Sequence, residues 1–104
     1  MRQEFLVVHA DWTPDGPLAP GLGSAAMVKK ALEDQFGPTE WELGQGLFDG
    51  DGFSFLAKLG ILQEVASVTF ETWGKGNPAP ILALWCGQYG WKAINLDTGE
   101  DVRI

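Results

Sequence analysis

Glycine and proline punctuate this chain so closely that only short elements fit between them. Residues 11–23 hold three prolines and three glycines and read as a loop. At about a dozen residues, that loop is long for a connection inside a domain, and such loops often carry function. Gly37-Pro38 ends whatever precedes it, Gly44, Gly46, Gly50 and Gly52 loosen the next stretch, and Gly74-Lys75-Gly76-Asn77-Pro78 makes a turn. Gly87 to Gly90 turns the chain again. With 104 residues there is room for one core, so residues 1–104 are expected to form a single domain.

Between these breaks the patterns are short and mixed. Residues 3–10 are β-branched and apolar on both faces, as in a strand buried in a sheet. Ser24 is a suitable N-cap for a helix over 25–36, with Ala25, Val28, Leu32 and Phe36 on one stripe and Met27 and Ala31 beside it. Trp41 to Leu43 suits a short strand. Ser54 is placed to cap a second helix over 55–66, with Phe55, Leu59, Leu62 and Ala66 inward, although Gly60 weakens it and a shorter helix running into a strand also fits. Ser67 to Trp73 alternates as a strand, residues 80–86 are apolar on both faces and read as a central strand, and Trp91 to Leu96 forms the next. Asp97-Thr98-Gly99 then closes a hairpin onto residues 100–104. The expected fold class is α+β: a mostly antiparallel sheet of about four to six strands with two helices packed on one face.

Charge divides this chain unevenly. Seven Lys and Arg against fourteen Asp and Glu give a net charge of −7. Charges cancel over residues 1–30 and nearly cancel over 58–104, whereas residues 31–57 carry Glu33, Asp34, Glu40, Glu42, Asp49 and Asp51 with no Lys or Arg. Such a field repels nucleic acid and anionic membrane surfaces and favours a protein with a basic surface. No apolar run approaches the length of a spanning helix, and the start is too short and too acidic for a secretory signal. The single cysteine excludes a disulfide scaffold and a Cys-built zinc site, so a cytoplasmic protein is expected.

Several short motifs carry chemistry in other settings. Leu96-Asp97-Thr98-Gly99 resembles the catalytic triplet of aspartic proteases, but only five residues follow Gly99, and a hairpin turn calls for the same residue types. Asp49-Gly50-Asp51-Gly52 resembles the opening of an EF-hand calcium loop, yet the ligand, glycine and glutamate positions further on hold Phe53, Ser54 and Gly60. It reads as an acidic turn, and no metal or other cofactor is expected. His9 and Asp11 share a strand end, and Cys86 follows an apolar run. If residues 3–10 paired with 80–86, the three would form a polar cluster able to serve a small enzyme. Trp12 and Trp41 lie in the Pro/Gly loop and the acidic stretch, where exposed rings would stack on a ligand such as a sugar. Gly44 to Gly52 lacks the order of a phosphate-binding loop.

The leading expectation is a protein-protein interaction module. Glu33, Asp34, Glu40, Glu42, Asp49 and Asp51 would act as phosphate-like charges and Trp41 as an apolar anchor against a basic partner. An inhibitor that blocks a nucleic-acid-binding surface by charge mimicry is one form of it, and the size and charge profile is similar to that of phage anti-CRISPR and toxin-immunity proteins. The alternatives are the His9/Asp11/Cys86 enzyme and the tryptophan-lined ligand domain. A strand edge at residues 100–104 would allow a homodimer.

Overall fold

Six strands join into one antiparallel sheet in the computed structural model, which describes residues 2–13 and 21–102. In chain order the elements are β1 (Gln3–His9), β2 (Gly23–Ser24), α1 (Ala25–Phe36), β3 (Glu40–Glu42), β4 (Gln45–Asp49), β5 (Phe53–Lys58), β6 (Glu64–Val65), β7 (Val68–Gly74), α2 (Ala79–Tyr89) and β8 (Trp91–Asn95). The large sheet runs β3-β4-β5-β7-β1-β8, and β2 pairs with β6 in a small clasp. The fold is therefore α+β with two helices. Of the 11–23 loop and the closing strand, residues 14–20 and 103–104 lie outside the described residues.

Register decides which side chains meet. Phe5 pairs with Phe70, Val7 with Val68 and Ala93, Ala57 with Phe70, and His9 with Trp91. Strand side chains alternate, so these residues share one face of the sheet. Val28, Ala31 and Leu32 of α1 and Leu82, Trp85 and Cys86 of α2 belong to the same core. Trp85 lies at its centre: its ring meets Phe36, Phe70 and Trp91 at 5.2–5.8 Å. Its Nε1 donates to the Ala31 carbonyl at 3.1 Å, which ties the two helices together.

α1 follows from its ends. Ser24 Oγ accepts the Met27 N–H, and Gly37, at φ +119°, donates its N–H to the Glu33 carbonyl. Met27, expected beside the apolar stripe, is exposed instead.

Two segments depart from the sequence expectation. Residues 80–86 are helical, within α2, rather than a central strand. A short run that is apolar throughout fits either a buried strand or a buried helix, and its flanks decide. Here Asn77 Oδ1 accepts the Ala79 N–H, prolines occupy the start, where a helix needs no N–H, and Gly90 adopts the left-handed C′ conformation. The second helix expected over 55–66 is strand β5, followed by a loop and β6. Phe53 to Lys58 alternates about buried Phe55 and Ala57, and Ser54 bonds Asp49 instead of capping a helix. Leu59 is buried as expected, whereas Leu62 and Ala66 are exposed.

Candidate functional site

β3 and β4 form the acidic arm of the sheet. Their two-residue connection is Leu43-Gly44, with φ of 50° and 78°, the left-handed pair of a type I′ turn. This turn matches the twist of the flanking strands and pairs Glu42 with Gln45, Trp41 with Gly46 and Glu40 with Leu47. Trp41, Gly46 and Phe48 thereby fall on the helix side of the sheet, continuous with Phe55 and Ala57. Glu40, Glu42, Gln45, Leu47 and Asp49 fall on the opposite, outer side.

Glu40 and Glu42 stand two residues apart on one strand, roughly 7 Å along it. Asp49 lies diagonally across from Glu40, next to Leu47. Its Oδ1 accepts the Ser54 hydroxyl at 2.7 Å, which orients the carboxylate. β3 and β4 contain no basic residue. On the neighbouring β5, Lys58 is held by Glu71 at 3.0 Å. A hollow of about 530 Å³ is lined by Trp41 together with Glu40, Glu42, Leu43, Gln45, Leu47 and Leu56, and one of about 310 Å³ by Glu40, Leu47 and Asp49 with Pro38 and Thr39.

The six acids of residues 31–57 do not form one patch. Glu40, Glu42 and Asp49 share the outer sheet face. Asp51 sits in the β4–β5 turn. Glu33 and Asp34 lie on α1, where Asp34 pairs with Lys30 at 3.1 Å and Glu33 accepts the Thr39 N–H.

Trp41 is held from the helix side. It is half-buried, with Lys29 over its ring at 5.3 Å and Gly46 against the indole, so it anchors the arm from beneath. Its Nε1 is enclosed without a hydrogen-bond partner among the described residues. Trp12 is likewise covered on one face, by Lys92 at 5.9 Å, and Arg2 lies over Trp73 at 5.8 Å. Trp12 and Trp41 therefore each present a ring face that is already occupied.

The exposed apolar side chains are ones the sequence pattern did not single out for recognition. Leu43 is 84% exposed, Ile61 83% and Leu62 73%. The Leu59 N–H donates to the Gly44 carbonyl, and Gly60 abuts Gly44 so closely that a Cβ there would overlap the Gly60 carbonyl. The two loop tips thus meet, and the three side chains emerge at one end of the acidic arm. Leucine at a φ of 50° is the detectable signal. Short-range sequence rules expect Asn, Asp or Gly there, and leucine satisfies no folding requirement.

The proposed catalytic cluster loses its geometric premise. β1 pairs with β7 and β8, while Cys86 sits on α2 within the core. Burial pushes the Cys86 thiol up to about 12, far from a thiolate at neutral pH. His9 Nδ1 accepts the Asp11 N–H at 3.1 Å, with the Asp11 carboxylate 3.7 Å away. That bond makes the pair a strand-end link. Among the described residues, no group of three or more His, Cys, Asp or Glu is arranged to hold a metal ion. Asp97-Thr98-Gly99 forms a turn: Asn95 Oδ1 accepts both the Asp97 and Thr98 N–H groups, and Gly99 has φ +77°.

The chain matches no protein-family model, no curated protein and no solved structure. No helix among the described residues is long and apolar enough to cross a membrane.

Proposed function

We propose that this protein is an interaction module whose acidic β3–β4 arm docks on a basic surface of a partner protein. One observation carries the reading. Glu40, Glu42 and Asp49 share an outer face without a base on either strand, beside exposed Leu43, Ile61 and Leu62. Carboxylates supply long-range attraction and register, and apolar side chains at the arm's end supply desolvation energy on contact. Strand spacing lets Glu40 and Glu42 stand in for adjacent phosphates, so a nucleic-acid-binding surface is a fitting target for an inhibitor of this kind. Glu33 and Asp34, on α1, contribute to the field rather than to the contact.

The test is capture from host lysate at low and moderate salt by wild type and by a Glu40→Gln, Glu42→Gln, Asp49→Asn variant. A partner retained by wild type, released by salt and lost from the variant is the expected result. Equal retention by both proteins would reduce the acidic face to a solubility device.

A further inference from the structure

The large sheet has one edge closed and one edge open among the described residues. Beside β8, the Asn95 N–H donates to the Glu100 carbonyl and the Val102 N–H to the Ala93 carbonyl, so residues 100–102 cover that edge. At the other end β3 has β4 on one side and no strand on the other.

The hairpin geometry says which backbone groups the open edge presents. The Leu59 N–H bonds to the Gly44 carbonyl, so Gly44, Gly46 and Phe48 direct their backbone groups toward β5. Gln45 and Leu47 therefore face β3, where Glu42 and Glu40 engage them. The N–H and C=O of Trp41 point away from β4, along the free edge, and no described residue bonds them. Glu40 and Glu42 flank that free pair, with side chains on the outer face.

These constraints define a partner. A strand laid antiparallel against β3 would exchange two hydrogen bonds with Trp41 through one residue. The residues on either side would stand opposite Glu40 and Glu42 in non-hydrogen-bonded pairs, where side chains approach most closely. A second copy of this chain is disfavoured, since pairing β3 with β3 sets glutamates against glutamates. Lys and Arg are favoured opposite the glutamates. The central residue turns toward the helix side, where Lys29 already lies over Trp41, so an apolar residue suits that position. We infer that the β3 edge accepts an extended basic-apolar-basic segment of a partner protein as an added strand. This inference rests on the docking function proposed above and specifies its mode.

Backbone methylation separates strand addition from charge attraction alone. The probe is acetyl-Lys-Val-Lys-Val-Lys-amide, titrated into 15N-labelled protein at low salt. It is compared with two isomers, one N-methylated at both valines and one N-methylated at the second and third lysines. The Trp41 amide is expected to exchange rapidly with deuterium in the free protein and to slow on addition of the unmodified peptide. Methylation of the valines removes the donors that face β3 and is expected to weaken binding by about tenfold or more, about 1.4 kcal/mol. Methylation of the lysines, whose N–H groups point outward, is expected to leave binding close to that of the parent. Equal binding of both isomers, an unprotected Trp41 amide at saturation, or no binding of the parent peptide would each overturn the added strand. Lysate capture that still depends on Glu40, Glu42 and Asp49 would then leave the docking function standing without it.

Discussion

Leu43 is the residue at which fold and recognition pull apart. A left-handed conformation costs a branched or bulky residue on the order of 1–2 kcal/mol, and this side chain recovers little of that through burial. Leu43→Asn creates the Asn-Gly pair that type I′ turns favour and is expected to stabilise the protein by about 0.5–1 kcal/mol in urea denaturation. The same substitution is expected to weaken partner capture. Unchanged or lower stability would show that the leucine is not strained. Cys86 supplies a second test at this scale. With its folded pKa raised from the ordinary 9.0 to about 12, the thiol ionises first in the unfolded chain. Stability is therefore unaffected by this group below pH 9. It falls between pH 9 and about 12, with a slope approaching 1.4 kcal/mol per pH unit. Cys86→Ala is expected to remove that component, measured as the difference between the pH-stability curves of the two proteins.

Among the elements, those with marked ends were legible and those defined by hydrophobicity alone were not. Ser24 and Gly37 bound α1 within a residue of expectation, because caps are local chemistry. α2 is obscured in the sequence because its apolar residues leave no polar face to reveal a helical period, and because Asn77-Pro78 reads as the end of a turn and Pro80 as the start of a strand rather than the four residues as a helix start. β5 was obscured because Phe55, Leu59 and Leu62 happen to fall at helical spacing, a pattern that the loop at Gly60 breaks. The candidate site was half legible. The acidic residues are visible as composition, but only register shows that Glu40, Glu42 and Asp49 share a face while Glu33 and Asp34 do not. The arm is held in place by Trp41 seated on Gly46, where an added Cβ would approach the ring to 2.5 Å. Gly46→Ala is expected to cost about 1–3 kcal/mol and to shift tryptophan fluorescence as the indole is displaced. An unchanged unfolding midpoint would mean that the indole is not seated there.

For the whole molecule, the arrangement of charge follows from how the bases are used. Lys29, Lys92 and Arg2 lie over tryptophan rings, and Lys30 and Lys58 are engaged by carboxylates. Lys29 thus meets β3 only on the helix side, and the outer face of β3 and β4 carries carboxylates without a base of its own, which gives the arm its field. The strand order has a different consequence. β1 lies between β7 and β8, so its pairings reach far along the chain, from Val7 to Val68 and from Phe5 to Asn95. During synthesis β1 must wait, with Phe5, Val7 and Val8 unpaired, until β7 and β8 have been made. Assembly of this sheet therefore rests on non-local pairing, which slows folding and leaves apolar strand surface open to other chains in the interval.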